Sequence, residues 1–415
     1  MHAAHRIPHA PPRRHFAFGD TIAALVLLLC LSLAAGCGRQ SPTQPAGMAK
    51  VVSPGGEGLT ASTEAVHLEG TIGPGALYSL DQPANWNGDL VVYLHGYTPP
   101  ASPVALPANG PIRDRLLAAG FAVAASSYSS NGYAVPEAVR QEHQLRALFV
   151  SRVGKPQRTF LFGVSLGGIV GLMLAEKYPA QYDGALLVSG VVGGTPAQVE
   201  YIADAKVLFD QLYPNVQLGG LVTPIEVTNF NAQVAGPVIG AVTANPNGLG
   251  ILNLITRHPL PGANGQELVT SLLNVLGFQL AGAVDLLDRT HGHMFFDNQG
   301  YRYTGPLPAA LLDGINAGVA RFSASPAAEA WLRHYETPSG DLRIPVLTLH
   351  NQRDPVVPAF HEALLAEAVH AQGADAFLAQ RQTNSYGHVN FTPDELVQNF
   401  QDMVHWVDTG IRPAP

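Results

Sequence analysis

The stretch from Thr159 to Pro179, TFLFGVSLGGIVGLMLAEKYP, limits the possible folds more than any other part of the chain. Thr159 to Phe162 is a short apolar run without polar alternation, the pattern of a strand buried on both faces. It ends in Gly163-Val164-Ser165-Leu166-Gly167. From Leu166 to Tyr178 the chain reads as a helix rich in Gly, Leu and Ala, stopped by Pro179. Such small residues suit a helix lying close against a sheet. A buried strand turning sharply into a close-packed helix belongs to a parallel sheet covered by helices.

The rest of the chain extends that pattern. Strands are expected at Asp89 to Leu94, Phe121 to Ala125 and Ala185 to Val188, with a helix from Pro136 to Arg152. The alternation stops at about residue 193 and resumes with a strand at Val346 to Leu349. A helix at Ala359 to His370, a strand at Ala376 to Arg381 and a last helix at Pro393 to Val407 complete it. The expectation is an α/β fold: a mostly parallel central sheet flanked by helices, built from residues 65–192 and 341–415. Residues 193–340 carry apolar stretches of helical spacing between Gly, Pro and Asn. They are expected to form a largely helical cap inserted over the strand ends. With 47% hydrophobic and 13% charged residues, the chain has material for a large core and is not disordered.

The N-terminus reads as an address. Arg6, Arg13 and Arg14 precede an almost wholly apolar run, Thr21 to Ala35. That run is short against the roughly 20 residues of a membrane span, and a signal peptide fits better. Ala34-Ala35-Gly36-Cys37 resembles a bacterial lipobox, which implies that residues 1–36 are removed and that Cys37 is diacylated. Residues 37–64, small and rich in Pro and Gly, would then be a flexible tether. The domain would meet a membrane only through the lipid on Cys37. The cell envelope follows as its location, with the outer membrane preferred because Gly38 is no obvious retention signal. A secreted soluble protein is the alternative. Cys30 and Cys37 are the only cysteines, which leaves the folded domain no disulfide, thiol nucleophile or zinc-thiolate site. The net charge is −8 and no dense Lys/Arg run follows the first 40 residues, which argues against a nucleic-acid partner.

The chemistry lies in four loops. Gly163-x-Ser165-x-Gly167 matches the turn that exposes a nucleophilic serine between strand and helix, where neighbours two residues away on either side must be small. Serine needs a base. His388, in Tyr386-Gly387-His388-Val389-Asn390-Phe391, follows the last strand. His350 is placed near a strand end and His361, His370 and His405 on helices, which makes them weaker candidates. The imidazole needs a carboxylate to fix its tautomer. Asp354 lies in a Pro-rimmed turn after a strand, whereas the rival Asp341 precedes that strand. Two backbone N–H donors must meet the oxyanion. Leu166, after the nucleophile, supplies one and Tyr97 the other, with Gly96 giving room for close approach and His95 bracing the loop.

The His95-Gly96 turn, the Ser165 elbow, the Asp354 turn and Gly387-His388, in this order, resemble the α/β-hydrolase superfamily over about residues 75–410. Within it, Ser127 to Tyr133 and the ending Gly387-His388-Val389-Asn390-Phe391-Thr392 look like secreted bacterial esterase-like or peptidase-like hydrolases. The resemblance implies acyl transfer through an acyl-enzyme, with no cofactor and no metal. A small or hydrophobic carboxylic ester is the expected substrate. A serine peptidase acting on short peptides is the alternative, favoured if the cap carries a charged anchor for a peptide terminus. A non-catalytic binding lipoprotein is a third reading, and the complete Ser, His and Asp set argues against it. No obligate protein partner is evident. Asp285, Asp288, His291 and His293 crowd together but match no common zinc spacing, and read as a solvated helix end and turn.

Overall fold

The computed structural model describes residues 64–414. The expected signal peptide, the expected lipid site at Cys37 and nearly all of the expected tether lie outside the described residues. Eight strands form one sheet: β1 (Val66–Ile72), β2 (Ala76–Gln82), β3 (Asp89–Leu94), β4 (Ala122–Ser126), β5 (Arg158–Val164), β6 (Gly184–Val188), β7 (Val346–Arg353) and β8 (Leu378–Tyr386). Their spatial order is β1-β2-β4-β3-β5-β6-β7-β8. β1 pairs antiparallel with β2, and β2 antiparallel with β4. Every later pairing is parallel.

Helices cover both faces. On one lie α1 (Gly110–Ala118) and α11 (Pro393–Thr409), on the other α2 (Val135–Arg152) and α3 (Leu166–Lys177). Under α11, Leu396, Phe400, Met403 and Trp406 pack against Val91, Phe160, Phe162 and Leu186 of the sheet. The last helix is fixed at both ends by its own sequence. Thr392 and Glu395 form a reciprocal capping box, Pro393 occupies the first turn, and Gly410 closes the helix at φ +70°. α10 (Phe360–Ala371) lies between β7 and β8 in sequence.

The chain between β6 and β7 is helical. It contains α4 (Thr195–Leu212), a π-turn at Asn231–Ala235 leading into α5 (Gly236–Ala244), then α6 (Pro246–Ile255), α7 (Gly265–Arg289), α8 (Ala309–Gly318) and α9 (Pro326–Tyr335). Gly219 and Pro224 form an isolated bridge in this segment. The long α7 is tied to the sheet domain at three places. Near its start, Arg353 pairs with Glu267 and the Tyr386 hydroxyl donates to Glu267 O at 3.0 Å. Farther along, the Tyr97 hydroxyl donates to Ala281 O at 3.3 Å. At its end, Asp285 accepts the Tyr133 N–H at 2.8 Å, and Arg289 reaches Glu137 and the Asn131 carbonyl.

Three expectations need correction. Asp285 is not at a solvated helix end: its side chain is 14% exposed and spent on Arg289 and Tyr133. Asp288, His291 and His293 are exposed, and no metal-holding group of three occurs among the described residues. The last strand runs Leu378–Tyr386, after a 3-10 turn at Asp375–Phe377, instead of Ala376 to Arg381. Its polar run QRQTNSY hides it, because a strand at the sheet's edge needs only partial burial. His350 lies within β7, fully buried, and not at a strand end.

Candidate active site

Ser165 sits between β5 and α3 with φ +56° and ψ −120°, a conformation costly for a residue with a side chain. Its surroundings allow no bulk. A Cβ at Gly163 would lie 2.4 Å from Gly167 O, and one at Gly167 2.1 Å from Leu94 O. At Gly168 it would meet the Gly190 Cα at 2.5 Å. The glycine spacing of the motif is thus a packing requirement of the turn against β3 and the loop after β6. Leu166 is buried at the start of α3.

The loop after β3 crosses the serine. A Cβ at Gly96 would stand 3.0 Å from Ser165 Cβ and 3.5 Å from its Oγ. His95 Nδ1 lies 2.7 Å from Gly96 O, and a carbonyl can only accept, so this nitrogen carries the proton. Because the peptide is planar and trans, fixing the Gly96 carbonyl turns the Tyr97 N–H to the opposite side. His95 is held in turn by Tyr128, which stacks on it at 3.8 Å and donates its hydroxyl to His95 O at 3.0 Å. Burial pushes the His95 imidazole down to about 4, so it stays neutral.

Asp354 and His388 are joined. His388 Nδ1–H donates to Asp354 Oδ2 at 2.8 Å. The carboxylate is fully buried, and its Oδ1 accepts the N–H groups of Val356 at 2.9 Å and Val357 at 3.0 Å. The rival Asp341 pairs with the exposed Arg343. His388 lies between two left-handed residues, Gly387 at φ +125° and Val389 at φ +53°. Braces that no sequence motif marks hold this turn. Val389 N–H donates to Ser189 Oγ at 3.2 Å, and Asn390 N–H to Asn351 Oδ1 at 3.0 Å. Ser189 directly follows β6, the strand beside β5, so these bonds tie the histidine loop to the serine's side of the sheet. His361 accepts the Gly193 N–H, while His370 and His405 are on α10 and α11, outside this cluster.

Tyr97 leads toward the cap. Its ring meets Tyr133 at 5.4 Å and Phe278 at 5.6 Å, both edge-on. Tyr133 and Phe278, with Val199, Ile202, Leu221 and Phe295, line an apolar pocket that also contains Gln279. Two aromatic rings thus separate the Gly96 loop from that pocket.

The strand order, the inverted β2 and the serine elbow after β5 together decide the architecture. This is the α/β-hydrolase fold. Residues 73–236 match the model of a tannase-like family of unknown function (DUF6351). No curated protein matches the chain. Among solved structures, a highly thermostable carboxyl esterase from Bacillus coagulans is similar over 84% of this chain and 98% of its own, at 13% identity and TM-score 0.40. A Paleococcus ferrophilus monoacylglycerol lipase is similar over 83% and 98%, at 16% identity and TM-score 0.35. A puromycin-hydrolyzing peptidase from Mycobacterium tuberculosis is similar over 84% of this chain and 40% of that one, at 12% identity and TM-score 0.42.

Proposed function

We propose that this protein is a serine hydrolase that cleaves carboxylic esters, with Ser165 as nucleophile, His388 as base and Asp354 orienting the base. The observation that carries the reading is the 2.8 Å bond from His388 Nδ1 to the buried Asp354, in a chain whose serine sits strained beneath Gly96. With Nδ1 donating to the carboxylate, Nε2 of neutral His388 is the acceptor that a serine proton needs. Ser165 Oγ attacks the ester carbonyl and its proton passes to His388. The N–H groups of Tyr97 and Leu166 meet the oxyanion. The intermediate collapses, the carbon–oxygen bond to the alcohol breaks, and His388 returns the proton to the leaving oxygen. A water deprotonated by His388 then releases the acid and restores Ser165.

The aromatic rings of Tyr97, Tyr133 and Phe278 beside the proposed oxyanion loop favour a small or hydrophobic ester as substrate. In the full chain a lipid on Cys37 would hold the enzyme at the cell envelope, with the outer membrane preferred; labelled palmitate incorporation should vanish in Cys37→Ser. Persistent labelling would remove that site.

The activity is tested with p-nitrophenyl esters from acetyl to long acyl chains, using residues 38–415. Ser165→Ala should lose at least about a thousandfold in kcat while remaining folded. Turnover that survives in the variant removes Ser165 as nucleophile. Folded protein that ignores every ester but cleaves fluorogenic dipeptides would reassign the enzyme to peptides.

A further inference from the structure

Beside the site lies a buried imidazole that acyl transfer leaves unused. His350, inside β7, has no solvent exposure. Its Nε2 is 2.7 Å from the Val357 carbonyl and its Nδ1 is 2.9 Å from Glu362 Oε1. The carbonyl can only accept, so Nε2 carries a proton. Glu362 is arranged as an acceptor too. Its Oε2 receives Gln380 Nε2 at 2.6 Å and also the Thr348 hydroxyl. Acceptors facing both ring nitrogens suit an imidazolium, whose two N–H groups both donate.

Two features connect this cation to the chemistry. Val357, whose carbonyl takes the His350 proton, gives its own N–H to Asp354 Oδ1. His350 therefore pins the turn that cradles the carboxylate. Its Nε2 also stands 3.8 Å from Asp354 Oδ2, the oxygen that receives His388. A positive charge there offsets part of the carboxylate's field and so opposes protonation of His388.

We propose that His350, paired with Glu362, is a positioning residue for Asp354 and His388: as a buried imidazolium it fixes the Asp354 turn and keeps His388 working as a base at lower pH. The proposal rests on the reading of Ser165, His388 and Asp354 as the reacting set. The surroundings agree with the charge. Burial alone would push His350 down, but the hydrogen bond and charge of Glu362, helped by Asp354, bring it up to about 9. From α10, His361 faces it as a neutral ring, held well below the usual range by burial and by the His350 and His258 charges. From α4, Tyr201 donates its hydroxyl to Pro355 O at 3.2 Å and is kept protonated by burial.

The test uses the whole folded protein with 15N-labelled histidine, the His350 ring signals being assigned in the native protein by their through-bond correlations to the His350 backbone. Both ring nitrogens should show imidazolium shifts at about pH 7, with proton loss near the value of about 9. In Glu362→Gln the loss should move to lower pH. In kinetics on p-nitrophenyl acetate, His350→Gln should shift the acid limb of kcat/KM upward by about one pH unit, with kcat down about tenfold and KM little changed. A neutral His350 at about pH 7 in the native protein overturns the proposal, even if His350→Gln does not fold. So does an unmoved acid limb in folded His350→Gln. An inactive Ser165→Ala beside that unmoved limb removes this proposal alone. Turnover retained in Ser165→Ala removes the triad reading and the proposal with it.

Discussion

Two glycines beside Ser165 are constrained for different reasons, and substitution separates them. A methyl group at Gly167 would lie 2.1 Å from Leu94 O and 2.9 Å from His95 O, so the backbone of β3 would have to move. Gly167→Ala should therefore lower stability by about 3 kcal/mol or more in urea unfolding. At Gly96 the methyl would meet Ser165 Cβ at 3.0 Å and Oγ at 3.5 Å, so it crowds the proposed nucleophile. Gly96→Ala should unfold within about 1 kcal/mol of wild type, yet lose about a hundredfold in kcat/KM. Equal activity in the two proteins would place the reaction elsewhere. Both glycines could be read from the sequence because the motif states its own steric rule. Ser165, Asp354 and His388 were legible for a similar reason: each sits in a turn with a recognisable pattern at the end of an apolar strand. Ser189, Asn351 and His350 were not. Their roles depend on partners supplied by other strands and by α10, and no local pattern records such a meeting.

At the scale of elements, legibility followed burial. Strands β3 to β6 are short apolar runs and could be read directly. The β1–β2 hairpin is not of that kind: β1 alternates half-buried and exposed residues at the sheet's edge. The cap could be recognised as helical, but not its path, since several of its helices are apolar on more than one side. Besides its buried face, α7 is held by polar ties to the sheet domain, one of them at Asp285. That carboxylate accepts the Tyr133 N–H at 2.8 Å and Arg289 Nε at 3.0 Å. Asp285→Ala leaves a buried N–H and a largely buried guanidinium short of partners. A loss of about 2 kcal/mol in urea unfolding is expected. Amide exchange should quicken in the last turns of α7 and in the loop 130–133. Unchanged exchange in both segments would show that packing, not this tie, holds the helix down.

For the whole molecule, the buried acids set how stability depends on pH. Burial raises Glu142 to about 8, against the opposing hydrogen bond of the Ser126 hydroxyl. Burial likewise raises Glu336 to about 8, against Thr195 and Arg289. Each carboxyl has one buried oxygen without a hydrogen-bond partner, which makes the charged form costly. A carboxyl whose folded value lies above its unfolded one binds more protons when folded. Its stabilising contribution is complete below the unfolded value of roughly 4.5 and is lost as pH rises through the folded value of about 8. His350, raised to about 9, acts with the same sign, since its contribution is complete below about 6.5 and lost as pH rises through 9. Glu200, Glu395 and Asp402 are shifted downward, and their opposing effect falls at lower pH. His95, His143 and His361 are shifted downward too, so their contribution is complete only above the unfolded value of about 6.5 and opposes the decline up to about pH 7. The urea midpoint should therefore fall between about pH 7 and pH 9 by an amount worth about 2 kcal/mol or more. Glu142→Gln combined with Glu336→Gln removes the two acids raised to about 8 and should flatten the decline over that range. A midpoint that rises toward alkaline pH, or a double variant with the same slope as wild type, would mean that these acids are already ionised in the folded protein.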